Sequence, residues 1–300
     1  LYIDASHPNE TRIVLKSNSS IEEYEFEDKN NLNFKNNIYL GTVSRVEPSL
    51  QAAFVNFGRD RHGFLAFNDI QSDYYQIPLE DKERLKVAEE KIRENLKNKT
   101  LDNSQDSSIQ ETTSILEEEN KEENKEENNS SSKNEEIKKK EYREELKSSY
   151  GVKRYKIQEV IKPGQVVLIQ VIKEERGQKG AALTTFISLA GKYIVLMPNT
   201  PKGGGISRKI FNSSDRQKIR DILNEIEIPK SMGVIVRTAG ANKTKNEIGK
   251  DFQNTLKTWE EIRDKALDSN APSLVYEEGD IIKRTLRDIY DNDTKNVYIE

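Results

Sequence analysis

The stretch QAAFVNFGRDRHGFLAF, residues 51–67, places four phenylalanines around a turn with two glycines. Its flanks predict β-strands, in which successive side chains point to opposite faces of a sheet. This alternation assigns to the core face Ala53, Val55, Phe57, Leu65 and Phe67. Phe54 and Phe64 remain on a mixed face. The connection between the strands carries Arg59, Arg61 and His62.

Phe54 and Phe64, the rings on the mixed face, predict a binding surface as well as a fold. Bases stack on aromatic rings and phosphates attract cations, so an open sheet face of this kind suits single-stranded nucleic acid. An ordinary half-buried ring is the alternative interpretation of Phe54.

Further strands are predicted on both sides of this stretch. NIYLGTVSRVEPSL, residues 37–50, precedes it, and β-branched runs with glycine punctuation return within residues 162–198. About five strands can be joined, around Tyr39, Val43, Ala53, Phe64, Leu168 and Thr184. This count predicts a small closed OB-type barrel interrupted by a long loop. Residues 12–16 and 21–27 predict two earlier strands, separated by the turn-like SNSS.

The interrupting segment, residues 71–150, has a different composition. Residues 101–150 contain 15 Asp or Glu and 8 Lys or Arg, a net charge of −7, whereas the whole chain carries −4, so the remainder carries +3. Such a polar run buries too little apolar surface to offset its ordering entropy. We expect a disordered or loosely helical insertion; a charged interaction tail is the alternative.

Two amphipathic helices are predicted in the second half of the chain. The first has Ser214 and Gln217 as a capping box and an apolar stripe of Ile219, Ile222, Leu223 and Ile226. The second is capped by Thr244 and Glu247, and its stripe contains Ile248, Phe252, Leu256, Trp259 and Ile262. Between them, MGVIVRTAG, residues 232–240, predicts a buried strand. NVYIE, residues 296–300, predicts one more strand, and the fold class is α+β.

Several classes of site and location are disfavoured. With no cysteine and only two histidines, the sequence offers no disulfide, no thiolate site and no histidine cluster. No stretch reaches the roughly 18 apolar residues of a membrane span, and residues 1–10 lack a signal-peptide pattern, so we expect a cytoplasmic protein. The run KGGGIS, residues 202–207, is not a Walker loop, since no Gly-Lys-Ser/Thr follows at the required spacing.

Four segments together resemble the ribonuclease E/G family. They are residues 37–67, KEERGQKGAALTTFISLAGKYIVLMPN at 173–199, GGISRKI at 204–210, and MGVIVRTAG at 232–240. In this order they are similar to the amino-terminal half of bacterial ribonuclease E, and more loosely to ribonuclease G. The preference for the E type depends on residues 174–191 and 204–210. Apart from the insertion, the similarity covers nearly the whole chain.

The resemblance implies three structural parts. An RNA-binding OB-fold barrel would comprise residues 35–70 and 151–185. An α/β sensor domain for the 5′-monophosphate end of RNA would comprise residues 186–282. Residues 1–34 and 283–300 would form part of a ribonuclease-H-like subdomain assembled from both ends of the chain.

The resemblance also assigns roles to residues. Phe54 and Phe64 would present rings to single-stranded RNA, with Lys179 as an added cation, although a solvated turn lysine is the common alternative. The 5′-monophosphate would be bound by Gly191, Val195, Arg237 and Thr238. The physical chemistry fits, since arginine's planar fork can grip a terminal phosphate and threonine supplies a hydroxyl donor.

Arg208 and Lys209 are implied to form a second RNA contact, either with a duplex or with the RNA backbone. The family often carries two arginines there, and Lys209 lacks the bidentate fork of arginine. Strand-end and turn cations are otherwise commonplace, so the family match carries these assignments.

No catalytic residue is assigned. The family hydrolyses RNA with Mg²⁺ held by carboxylates on a domain that would follow Glu300, and Zn²⁺ links its protomers through cysteines further on. We therefore expect no metal site in these residues, and we interpret Asp288, Asp291 and Asp293 as a solvated turn.

The resemblance extends to the biological role. Its implied partners are single-stranded RNA, a homo-oligomer of the full-length protein and degradosome proteins, and its implied processes are rRNA processing and mRNA decay. The alternatives are a non-catalytic RNA-binding module and an interaction scaffold that works through the insertion.

Overall fold

The computed structural model describes residues 1–17, 20–28, 34–83, 87, 155–174, 180–200, 205–229, 231–290 and 294–300. The chain forms two compact units: residues 1–76, 156–200 and 204–300, and residues 77–155 with 201–203. Within the second unit, the Tyr155 hydroxyl donates a hydrogen bond to the Asp81 carboxylate at 2.5 Å. Most of the predicted insertion lies outside the described residues. The candidate sites lie in the first unit.

The elements of the first unit are numbered in chain order. The strands are β1 (Tyr2–Asp4), β2 (Glu10–Ser17), β3 (Ser20–Asp28), β4 (Ile38–Glu47), β5 (Ala52–Asn56), β6 (Gly63–Ala66), β7 (Val166–Lys173), β8 (Ala182–Thr184), β9 (Leu189–Ala190), β10 (Ile194–Met197), β11 (Gly205–Ile206), β12 (Gly233–Val236), β13 (Ser273–Tyr276) and β14 (Tyr298–Ile299). The helices are α1 (Ile157–Val160), α2 (Ser213–Glu225), α3 (Lys245–Asp268) and α4 (Ile281–Asp288). The predicted α+β class is confirmed.

Five strands close into the predicted barrel. Their order is β4-β5-β6-β8-β7, and β7 pairs back onto β4. The β6–β8 pair is parallel and the other four pairs are antiparallel. Alternate side chains of these strands fill the interior, so Val55, Leu65 and Ile169 are fully buried. Tyr39 and Val43, taken from the sequence as separate strand positions, both lie in β4.

The barrel extends beyond its predicted boundary at residue 70. The Gln71 amide donates to the Thr185 hydroxyl at 2.7 Å, and the Leu168 amide donates to the Tyr74 hydroxyl at 3.2 Å. Tyr75 is buried and stacks on Phe67 with ring centroids 5.5 Å apart. Residues 71–76 therefore belong to the barrel unit and not to the insertion.

A second sheet, in the order β11-β12-β10-β9, packs on α3. Its core contains Ile194, Val236 and Phe252, and Trp259 packs against that core as predicted. Thr244 caps α3 in the predicted capping box with Glu247. The capping box predicted at Ser214 is wrong: α2 is capped by Asn212, whose side chain accepts hydrogen bonds from the Ser214 amide and hydroxyl.

The two ends of the described chain meet in a third sheet, which we call the terminal sheet. Its order is β14-β1-β2-β3, and β14 runs parallel to β1. Helix α4 packs on β2 and β3, where Ile281 joins a small core with Ile3 and Ile13. This helix begins before the predicted boundary at residue 283, and β13, from the segment predicted to be the sensor, pairs with β4 of the barrel. No helix among the described residues is both long and apolar enough to cross a membrane.

Candidate nucleic-acid interface

Phe54 and Phe64 lie side by side on the outer face of the barrel. They are direct cross-strand partners on β5 and β6, with ring centroids 6.0 Å apart and ring planes at 76°. Their neighbours Ala53, Val55 and Leu65 point inward and are fully buried. The predicted alternation of faces is thus confirmed for both strands.

Arg45 completes this surface, and sequence reasoning missed it. Its guanidinium carbon lies 4.4 Å from the centroid of the Phe54 ring. Strict alternation along β4 would place Arg45 inward with Val43, but the pairing with β5 shifts between these two residues. The irregularity puts Arg45 directly opposite Phe54, on the outer face. We call Arg45, Phe54 and Phe64 the aromatic platform.

The other predicted cations of the barrel are placed differently. Arg59 lies over the Phe34 ring, 4.2 Å from its centroid, and Arg61 and His62 are exposed. Lys179 lies outside the described residues. The residue after it, Gly180, has no room for a side chain, because a Cβ there would lie 2.2 Å from the His62 carbonyl oxygen.

The four residues predicted for phosphate binding meet at one end of the second sheet. Gly191 lies in the turn between β9 and β10, and Arg237 and Thr238 follow β12 directly. The Arg237 Nη1 donates to the Gly191 carbonyl oxygen at 2.8 Å. Val195 pairs with Ile235 across β10 and β12, so its side chain shares a sheet face with that of Arg237.

Asp251 of α3 holds the turn that presents Gly191. Its carboxylate accepts the backbone N–H groups of Lys192, Tyr193 and Ile194 at 2.8–3.1 Å. A Cβ at Gly191 would lie 2.6 Å from this carboxylate, so the turn requires glycine there. Asp251 could have been identified from the sequence, because it is an acid on the otherwise apolar stripe of α3, three residues after Ile248.

Arg237 also forms an ion pair that the sequence did not predict. Its Nη1 lies 2.5 Å from the Asp288 Oδ1 at the end of α4. Asp288 is in turn held by Arg287, whose Nη2 lies 2.8 Å from the second carboxylate oxygen. The interpretation of Asp288 as part of a solvated turn is therefore wrong; Asp291 and Asp293 lie outside the described residues.

More positive charge and aromatic surface surround this end of the sheet. The ammonium groups of Lys192 and Lys243 lie 5.9 and 5.2 Å from the centroid of the Tyr193 ring. Lys192 is also 5.4 Å from the ring centroid of Tyr290. These contacts are within reach of cation–π attraction, which orders the lysines around Tyr193.

Arg208 and Lys209 lie in a turn at the same end of the sheet. The turn follows β11, which runs parallel to β12, and the Ser207 amide donates to the Val236 carbonyl oxygen at 2.8 Å. Arg216 of α2 supports the turn, donating from Nη1 to two of its carbonyl oxygens at 3.2 Å. Both predicted cations are exposed, and so is Phe211, at 89%.

The described residues do not fit a metal ion. Within the described ranges, no group of three or more His, Cys, Asp or Glu is arranged to hold one.

Comparison with known proteins gives a consistent set of relatives. Residues 188–300 match the model of the Ribonuclease E/G family. Over 300 residues the chain is 33% identical to Ribonuclease E of Escherichia coli (strain K12) and 32% identical to that of Haemophilus influenzae. It is also 31% identical to Putative ribonuclease E of Buchnera aphidicola subsp. Baizongia pistaciae. The chain spans 22%, 24% and 56% of these three proteins.

Proposed function

Because this chain belongs to the ribonuclease E/G family, we propose that it is the RNA-recognition portion of a bacterial endoribonuclease. That enzyme would cleave single-stranded RNA in the cytoplasm, in rRNA processing and mRNA decay. The observation that carries the proposal is the aromatic platform: two adjacent rings and a guanidinium on the outer face of a closed barrel.

The platform would bind RNA by stacking and charge. A base stacks on an aromatic ring whatever its identity, and Arg45 adds a cation beside the rings. Duplex RNA keeps its bases stacked on one another, so splayed bases are available only in single strands, loops and ends. We therefore expect a preference for single-stranded RNA with little sequence specificity.

The end of the second sheet would recognise the 5′ end of the RNA. Arg237 would donate N–H groups to a terminal phosphate and Thr238 would add its hydroxyl. A 5′-hydroxyl end offers no such anion. Arg208 and Lys209, at the same end of the sheet, would contact backbone phosphates further along.

Cleavage itself belongs, in this proposal, to residues beyond the described set. Bound Mg²⁺ would supply a metal-activated water and would stabilise charge on the phosphate. Zinc-linked oligomers and degradosome proteins are likewise proposed for the whole enzyme. The present chain would position the RNA.

Binding of two labelled RNAs tests this function. An AU-rich single strand and a blunt hairpin of similar length should be titrated by fluorescence anisotropy at fixed ionic strength. We expect tighter binding of the single strand, and loss of this preference in the Phe54→Ala/Phe64→Ala double variant. Tyr24→Ala is the control, since it removes an exposed ring from the terminal sheet. Equal affinity for the two RNAs in the unsubstituted protein would contradict the proposal.

A further inference from the structure

We propose that Asp288 is a positioning residue for the 5′-monophosphate site. It holds Arg237 through Nη1 and thereby turns the Nε–Nη2 edge of the guanidinium toward the phosphate. The inference rests on the proposed function of Arg237, and it extends that site to helix α4.

The argument begins with the hydrogen bonds of Arg237. Both hydrogens of its Nη1 are used, one by the Gly191 carbonyl oxygen at 2.8 Å and one by Asp288 Oδ1 at 2.5 Å. Among the residues that the structure describes, Nε and Nη2 have no hydrogen-bond partner. A guanidinium binds a phosphate best through two parallel N–H groups, and the Nε–Nη2 edge provides such a pair.

Asp288 is itself held in one orientation. Arg287 donates from Nε to Oδ1 at 3.1 Å and from Nη2 to Oδ2 at 2.8 Å, so both carboxylate oxygens are engaged. The remaining nitrogen of Arg287 lies 3.0 Å from Glu278, whose side chain is only 9% exposed. Asp288 is therefore the middle of a chain of bonds that begins at the largely buried side chain of Glu278 and ends at Arg237.

Asp288 is also charged at neutral pH. Burial alone would raise the pKa of Asp288, but hydrogen bonds from Arg287 and Arg237 lower it below its ordinary 3.8. Together with Glu278, the chain of bonds contains two negative and two positive charges, so Asp288 is compensated within it. Two nitrogens of Arg287 bond to Asp288, whereas Arg237 uses only Nη1 and keeps its Nε–Nη2 edge for a phosphate. This favours positioning over competition between carboxylate and phosphate.

Helix α4 gives the arrangement a fixed base. Its opposite end is anchored on the terminal sheet, where the Ile281 amide donates to Glu27 at 3.0 Å and Arg284 forms an ion pair with Glu27 at 3.2 Å. The orientation of Arg237 is thus set by contacts outside its own sheet. Loosening Asp288 should free the guanidinium without disturbing the sheet.

The test measures end-group preference, defined as the Kd of a 5′-hydroxyl RNA divided by that of the same RNA with a 5′-monophosphate. Both RNAs carry the fluorophore at the 3′ end. We expect Asp288→Ala to lower the preference of the unsubstituted protein at least fivefold while leaving the 5′-hydroxyl Kd unchanged. Asp288→Asn should retain more of it, because its amide oxygen still accepts a hydrogen bond from Arg237. The double variant Arg237→Ala/Asp288→Ala should match Arg237→Ala alone.

Asp264→Ala is the matched control. Asp264 pairs with its neighbour Arg263 on the exposed side of α3 at 3.1 Å, as Asp288 pairs with Arg287. Its loss should leave the end-group preference unchanged. Thermal unfolding of every variant should give similar midpoints, since a general loss of structure would weaken both RNAs equally.

Three results would overturn the inference. A preference that survives in Asp288→Ala would show that Arg237 needs no positioning. Tighter binding of the 5′-monophosphate by this variant would show that the carboxylate competes with the phosphate. An unsubstituted protein without any preference would refute the proposed role of Arg237 itself, and the inference with it.

Discussion

Replacing Phe54 by alanine should weaken RNA binding far more than it weakens the fold. The ring lies between the Arg45 guanidinium, 4.4 Å from its centroid, and the Phe64 ring at 6.0 Å. One base–aromatic stack contributes about 1–3 kcal/mol. At about 1.4 kcal/mol per factor of ten, the Kd for single-stranded RNA should rise roughly 5- to 140-fold.

The cost to stability follows from the same two contacts. An edge-to-face ring pair contributes about 0.5–1.5 kcal/mol and an exposed cation–π contact about 0.5–1 kcal/mol. Phe54→Ala should therefore lower the free energy of unfolding by about 1–2.5 kcal/mol. Phe57, three residues along, is 1% exposed inside the core, and its replacement by alanine should cost about 3–5 kcal/mol.

The assay pairs anisotropy titrations with urea unfolding for both variants. Phe54→Ala should show the larger loss of RNA affinity, and Phe57→Ala the larger loss of stability. RNA binding by Phe57→Ala is measured under conditions below the unfolding transition of that variant. If Phe54→Ala lost stability like Phe57→Ala but bound RNA normally, the ring would be structural and the platform would not be an RNA-binding surface.

Four further outcomes are expected. Arg237→Ala should abolish the preference for 5′-monophosphorylated over 5′-hydroxyl RNA while internal binding survives. An equal loss of affinity for the two RNAs in the same titrations would reassign Arg237 to backbone contact. Replacing residues 77–154 by a short Gly/Ser linker should leave the first unit folded, as measured by circular dichroism. The Gln76 amide already donates to the Val160 carbonyl oxygen at 2.9 Å, and loop-closure entropy grows slowly with length. Aggregation of the shortened chain would show that the replaced residues contribute to a core. The 300-residue chain should bind a 5′-monophosphorylated AU-rich RNA equally in Mg²⁺ and in EDTA without cutting it, and metal-dependent cleavage that copurifies with the protein would contradict this. Burial raises the pKa of Asp288, but hydrogen bonds from Arg287 and Arg237 outweigh it and lower the pKa below 3.8, so the pairing of Asp288 with Arg237 stays intact above about pH 5 and is lost only in stronger acid. A decline in end-group preference between about pH 7.5 and 5.5 should therefore follow the second ionisation of the phosphate, whose pKa is about 6. The same decline should persist in Asp288→Asn.

Features with a local period could be predicted from the sequence. Alternation in residues 51–67 separated Phe54 from Val55 because a strand repeats every two residues and one face must be buried. The apolar stripe and capping box of α3 were predictable for the same kind of reason. Asn212 and Ser214 both suit a helix N-cap, so composition alone could not choose between them.

Features set by irregular pairing or distant contacts could not be predicted. Arg45 faces outward only because the β4–β5 pairing shifts between Val43 and Arg45, and the sequence gives no sign of that shift. Asp288 meets Arg237 across 51 residues, through the packing of a helix that local patterns cannot place. Tyr75 belongs to the barrel because it reaches Phe67, although its neighbours in sequence are polar.

The parallel pairing of β1 with β14 has a consequence for synthesis. Tyr2 and Tyr298 stack with centroids 4.8 Å apart, yet a ribosome adding about 5–20 residues per second makes them roughly 15–60 s apart. During that interval β1 can pair with β2, but its other edge has no strand beside it. Unpaired strand edges are where nascent chains associate wrongly. The barrel can close while the terminal sheet is still incomplete, so β1, the first of this sheet's four strands to be made, is among the last to be paired on both edges.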